Sequence, residues 1–166
     1  MAYWLLKEEP DHYSWSDLVR DGSTDWTGVH NALALQHLRR MAPGDHALFY
    51  HTGLERACVG LLRITSAPRP DRKDLRGSWS VRVAAVRPLR RPIPLSEVRT
   101  DPALAGLELL RIPRLLVVPL ADDQWSRLLS HEDAQPWPRR AAKGSESGPG
   151  RERASRRKRT GARRRR

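Results

Sequence analysis

The composition of this chain breaks at Gln135. Between Arg139 and Arg166 stand thirteen Lys and Arg against two Glu, and this stretch carries eleven of the chain's formal net charge of +12. From Arg151 onward no hydrophobic side chain is larger than Ala. Such a segment has no apolar surface to bury against the entropy of ordering its backbone. Gly144-Ser145-Glu146-Ser147-Gly148-Pro149-Gly150 ahead of it has linker composition. The fold is therefore expected within residues 1–134, with 135–166 as a disordered, Arg-rich tail. Residues 1–138 hold eighteen cations and seventeen acids. The high isoelectric point thus belongs to the tail, not to the folded part.

The folding segment reads as short elements of both kinds. Tyr3 to Lys7 is an expected strand, ended by Glu9-Pro10-Asp11. Ser14 is placed to cap a helix from Trp15 to Arg20, with Asp17 favouring its positive end. Ser23 to His30 reads as a polar loop carrying Trp26 and Gly28. Asn31 caps a second helix through Leu35 and Leu38. Strands follow at His46 to His51, Ala57 to Ser66 and Trp79 to Val86, the last alternating Val81, Val83 and Ala85 with Arg82 and Ala84. Short helical turns at Pro94 to Val98 and Pro102 to Leu110 lead to a strand at Leu115 to Pro119. Asp122 to Leu129 closes the fold as a helix with Trp125, Leu128 and Leu129 on one face. The pattern is that of an α+β domain around a curled sheet or small barrel.

Several classes of chemistry lack their residues. Cys58 is the single cysteine, so neither an internal disulfide nor a thiolate metal site can form, and its small apolar neighbours make it a core residue. The six His show no metal-binding spacing, and no metal or cofactor is expected. Apolar runs fall short of the roughly 20 residues of a membrane span, and the N-terminus lacks a signal-peptide pattern. A cytoplasmic monomer, nucleoid-associated at most, is the expectation. No phosphate-cradling glycine loop and no nucleophile elbow occurs. Glu8 and Glu9 are adjacent on a strand end and point apart.

What remains points to a polyanion. Arg156, Arg157, Lys158, Arg159, Arg163, Arg164, Arg165 and Arg166 suit phosphate neutralisation with counterion release, which supplies affinity without sequence reading. The folding part favours Trp over Phe: Phe49 is the only phenylalanine, against Trp4, Trp15, Trp26, Trp79 and Trp125. Flat rings of this kind stack on bases. Trp26, in its expected loop, is the candidate for such a pocket, and His51 beside Tyr50 is a candidate hydrogen-bonding group.

These residues together resemble the EVE domain. The likeness is carried by Trp4-Leu5-Leu6-Lys7-Glu8-Glu9-Pro10, Tyr13-Ser14-Trp15-Ser16-Asp17-Leu18, Trp26-Thr27-Gly28-Val29-His30-Asn31, and Gly44-Asp45 leading to Phe49-Tyr50-His51. Val59-Gly60, Trp79 to Val83 and Arg114 to Val117 extend it, so that it runs from about Ala2 to Leu129. The resemblance implies a PUA-like small mixed or antiparallel β-barrel with flanking short helices, and a reader of modified bases, cytosine derivatives in particular, in DNA or RNA. By the same likeness Trp26 stacks on a flipped base. Val29, through its main chain, and Asn31 read the base edge; His30, Phe49, Tyr50 and His51 complete the pocket; Lys7, Ser14 and Trp79 border it. The run Gly28 to Gln36 departs from the family's usual sequence at His30, Ala32, Leu33 and Leu35, and the stretch 69–77 is shorter than usual.

Two further functions stay open on the sequence. One is an amidohydrolase of the PUA-like kind acting on a modified nucleoside, with Lys7, Thr52 and Glu55 as its groups. The other is an accessory protein docking on nucleoprotein through its tail.

Overall fold

Strand β1 (Tyr3–Glu8) is an inner strand of a mixed sheet, one from its edge, and its sequence Tyr-Trp-Leu-Leu-Lys-Glu is buried at four successive positions. Burial on both faces explains the continuous apolar run, where a half-exposed strand would alternate. The computed structural model describes residues 1–133. The basic residues from Arg156 to Arg166 assigned to phosphate contact therefore lie outside the described residues.

Six further strands complete the sheet: β2 (Ser23–Val29), β3 (His46–His51), β4 (Ala57–Ile64), β5 (Arg69–Pro70), β6 (Trp79–Pro94) and β7 (Val117–Leu120). Their order is β2-β6-β4-β3-β1-β7, with β5 pairing with β6 outside this path. The β1–β3 pair is parallel, with Leu6 opposite Phe49 and Lys7 opposite Tyr50; the other pairs are antiparallel. Register shifts in the β3–β4 and β4–β6 pairs bend the long strands. The sheet curls into a half-barrel carrying helices α1 (Trp15–Asp21), α2 (Ala32–Leu38), α3 (Leu95–Thr100), α4 (Glu108–Arg111) and α5 (Asp122–Glu132), with a 3-10 turn at Pro102–Leu104.

Side chains alternate across each strand, so the β1–β3 register assigns two faces. On one face Trp4 meets His37 of α2, and Phe49 meets Trp15 of α1 and Trp26 of β2. On the other, Tyr3 stacks on Trp125 of α5 with ring centroids 4.5 Å apart. Polar clamps fix α5 there. Arg87 of β6 grips Glu132 through two bonds of 2.9 and 2.6 Å, and the Arg90 amide donates to the same carboxylate. Asp101 accepts from Arg127 at 2.6 Å and pairs with His131 at 2.7 Å.

Two expected boundaries are corrected. Ser23 to His30 is not a loop: Ser23–Val29 is β2, paired with β6 from Ser23–Ala84 to Val29–Trp79. Thr24, Trp26, Thr27 and Val29 are strand formers; Gly28 marks a bulge rather than the loop its presence suggested. β6 does not end at Val86 but runs to Pro94. Pro88 and Pro94 are tolerated where the β4 pairing shifts register or ends.

Candidate nucleic-acid interface

Ser14 and Asn31 are first of all helix caps. Ser14 Oγ accepts the Asp17 amide at 3.1 Å, while Asp17 accepts the Ser14 amide at 2.8 Å and its hydroxyl at 2.7 Å. This is a reciprocal capping box. It holds the Asp17 carboxyl below its ordinary range. Asn31 is exposed, and its Oδ1 accepts the Ala34 amide at 3.0 Å.

The aromatic candidates form a closed cluster. Trp26 is 5% exposed, Phe49 is fully buried, and their rings meet edge to face at 5.5 Å. Trp15 and His51 approach Phe49 at 5.9 and 5.3 Å. The space expected between the Trp26 segment and the β3 strand is thus filled by its own walls. Both nitrogens of His51 are engaged: Nε2 accepts the Trp15 amide at 3.0 Å and Nδ1 pairs with Glu55 at 2.6 Å. Val29 is buried, and its carbonyl accepts the Ser78 hydroxyl at 2.7 Å.

Lys7 and Tyr50 are not in this cluster. They lie on the opposite face, where Lys7 bonds to the Pro113 carbonyl and its Nζ stands 5.8 Å from the Tyr50 ring centroid. The hydrolytic alternative is also not assembled as expected. Lys7 and Thr52 line one pocket there, but the Glu55 carboxylate is held by His51. Among the described residues, no group of three or more His, Cys, Asp and Glu is placed to hold a metal, and no helix is long and apolar enough to cross a membrane.

The open concavity lies beside β2, on ground sequence reasoning passed over. A cleft of about 730 Å³ is bounded by Thr24, Asp25 and Thr27 on one side and by Arg69 to Lys73 on the other. A shallower extension reaches Gly28, His30, Asp74 and Arg76. The β2–β6 register jumps from Trp26–Val81 to Val29–Trp79, so Thr27 and Gly28 stand outside the pairing at the cleft rim, with Gly28 at φ 74°. Bulges re-aim strand residues in this way beside binding sites.

The far wall is a pinned loop. The Asp71 amide donates to Ser78 O at 2.9 Å, Asp71 accepts from the Lys73 amide at 3.0 Å, and Asp74 accepts from the Arg76 amide at 2.9 Å. His30 ties β2 to this loop through Asp74. That bond and, more strongly, the Arg76 amide hold the Asp74 carboxyl below its ordinary range. Asp25 occupies Arg69 at 2.9 Å and faces Arg82 at 3.5 Å. Arg72 and Lys73 make no ion pair among the described residues and are exposed. Trp79 backs the loop, with the Arg39 guanidinium 4.5 Å above its ring. The near-neutral sum over residues 1–138 concealed this local cation cluster; the density of Arg69, Arg72, Lys73 and Arg76 between two strands was the signal available.

The sequence matches the EVE domain family over residues 2–131. The chain belongs to the EVE domain family. It is 30% identical over 170 residues to human thymocyte nuclear protein 1, covering 81% of this chain and 76% of that one. The chicken protein of the same name is 32% identical over 171 residues, covering 81% and 70%. A Rhodopseudomonas palustris structure superposes with a TM-score of 0.76 at 33% identity, covering 82% of this chain and 97% of that one. The human THYN1 protein, solved in complex with 5-methylcytosine-containing DNA, superposes at 0.75 with 27% identity, covering 82% and 100%. A Zygosaccharomyces rouxii YTH domain at TM-score 0.54 and 11% identity, over 79% and 86%, shares the fold. This EVE domain thus has the PUA-like fold expected of its sequence, with the mixed sheet curled into a half-barrel.

Proposed function

We propose that this EVE-domain protein binds a DNA or RNA strand and distinguishes a modified base in it, a cytosine derivative being the ligand class. The observation that carries this reading is the cleft between bulged β2 and the loop across from it, where Arg72 and Lys73 are exposed and make no ion pair among the described residues, Asp25 being taken up by Arg69 and Asp71 accepting the Lys73 amide. Cations outside ion pairs supply phosphate neutralisation. The main-chain groups of Thr27 and Gly28, outside the sheet pairing, supply donors and acceptors for a base edge. Likeness to a protein solved with 5-methylcytosine DNA supports the ligand class.

In this reading the target base leaves its stack and enters the cleft against β2, which the buried Trp26 supports from within the core without lining it. Arg156 to Arg159 and Arg163 to Arg166 add non-specific, salt-dependent affinity from outside the domain.

Anisotropy titrations of the full chain with single- and double-stranded DNA and RNA probes, plain or carrying 5-methylcytosine, test it at fixed physiological salt. A tighter complex with a modified probe is expected. Charge removal by Arg72→Gln with Lys73→Gln should weaken every complex. Equal affinity for plain and modified probes of every type would remove base reading from the function, and unchanged binding by the double variant would move the interface away from this cleft.

A further inference from the structure

The other face of the sheet holds a second cationic concavity. β3 ends at His51, and Thr52 to Arg56 turns the chain into β4. Gly53 lies at φ 74° and Arg56 at φ 44°; Arg56 is the only non-glycine residue with positive φ among the described residues. A side chain held there is over-determined by its surroundings, a condition concentrated at binding sites. The turn is fastened to α3, since the Leu95 amide donates to the Arg56 carbonyl at 2.8 Å. Arg56 and Arg99 of α3 then share one pocket.

That pocket has a volume of about 180 Å³ and is lined by Lys7, Tyr50, Thr52, Arg56 and Arg99 together with Leu95 and its neighbours. A second hollow of about 180 Å³ continues it past Ser96, sharing Arg56, Leu95 and Arg99. No carboxylate lines the first hollow, and Glu55 at the second is bonded to His51. None of Lys7, Arg56 and Arg99 makes an ion pair among the described residues. Lys7 is 5% exposed, with the Pro113 carbonyl as its hydrogen-bond acceptor. Burying an ammonium without an opposite charge is unfavourable, and gathering three cations adds their mutual repulsion. A bound anion removes both costs.

We propose that the pocket between the β3–β4 turn and α3 is a phosphate-binding site, with Lys7, Arg56 and Arg99 neutralising the group and the Thr52 and Tyr50 hydroxyls donating to its oxygens. The tetrahedral group is a backbone phosphate of the bound strand; only this choice of source rests on the nucleic-acid reading above. Burial pushes the Tyr50 phenol up to about 12, so it remains a donor at neutral pH. Burial also lowers the Lys7 ammonium from its ordinary range, and a bound phosphate would move it back up.

The test is a titration of the isotopically labelled full chain, followed by amide and lysine side-chain NMR, first with inorganic phosphate and then with a short oligonucleotide. Saturable shifts at Gly53, Arg56 and Arg99, with an upward move of the Lys7 titration, are expected from both. Shifts with inorganic phosphate but none with the oligonucleotide would uphold the site and assign it to a small phosphate. Arg99→Gln, on an exposed helix position, should abolish the shifts without unfolding the chain, and Lys7→Met tests the buried partner. With oligonucleotides, Arg99→Gln should lower affinity for plain and modified probes by the same factor and reduce the salt slope by about 1. Their ratio, which reports base reading, should not change. No shift at these amides with either probe, or unaltered shifts in Arg99→Gln, would overturn the proposal.

Discussion

His51 fixes the first residue of α1: its Nε2 accepts the Trp15 amide at 3.0 Å. An acceptor Nε2 places the ring proton on Nδ1, which donates to Glu55 Oε2 at 2.6 Å. One neutral tautomer thereby links the start of α1, the end of β3 and the β3–β4 turn. Replacing His51 by Phe keeps a ring but strands the Trp15 amide. A loss of about 1–3 kcal/mol in urea denaturation is expected. Nitrogen-15 correlation spectra should show Nε2 unprotonated and Nδ1 protonated; the reverse assignment would refute the clamp.

Trp26 has a structural duty that must be separated from any role in binding. It is 5% exposed and packs edge-on against Phe49 at 5.5 Å. Trp26→Ala should therefore cost about 3–5 kcal/mol of stability. Trp26→Phe keeps most of the packing and is the variant suited to measuring base preference. Thermal denaturation of both, run before any binding experiment, checks the order Ala far below Phe.

Gly60 on β4 allows α1 to lie close. A methyl group at this position would overlap the Trp15 indole. Gly60→Ala is expected to destabilise the fold by about 1–3 kcal/mol through overpacking. An unchanged melting temperature would show that Trp15 moves aside freely, contrary to its anchoring by His51.

Asp101 makes the attachment of α5 sensitive to acid. Arg127 and His131 hold its carboxyl at about 2, below the ordinary carboxylate value. Because the folded value is the lower one, this stabilisation is fully present above the ordinary range and is lost as pH falls from there toward about 2. Asp101→Asn should flatten that part of the stability profile, measured by denaturation between neutral pH and pH 2. An unaltered acid limb would assign the sensitivity to other carboxylates.

Cys58 is fully buried in β4, and burial pushes its thiol up to about 12. Thiolate is the reactive form. A disulfide reagent at pH 8 should leave the native protein untouched and titrate one thiol in denaturant. Rapid reaction of the native chain would mean that β4 opens readily.

The outline of the domain is written in local sequence. Period and capping are local, so β1, β3, both caps and the closing amphipathic helix were legible residue by residue. The EVE-like motifs supplied the PUA-like fold with its curled sheet. The break at Gln135 located the basic stretch, although those residues fall outside the described structure. Gly28 concealed β2, because a bulge and a loop share the same glycine signal until a partner strand is known.

Which of these residues meet depends on how the strands and helices pack. Lys7 and Tyr50 are near Phe49 and His51 in sequence and register, yet alternation across β1 and β3 sends them to the opposite face. Trp26 is drawn inward by Phe49. The cations that remain open, Arg72 and Lys73 in one hollow and Arg56 and Arg99 in another, make no ion pair among the described residues, even where Asp25, Asp71 or Glu55 lines the same hollow. Net charge cannot show that, because an ion pair is a relation in space: Asp25 silences Arg69 from 44 residues away, and no count along the chain distinguishes it from an acid that silences nothing.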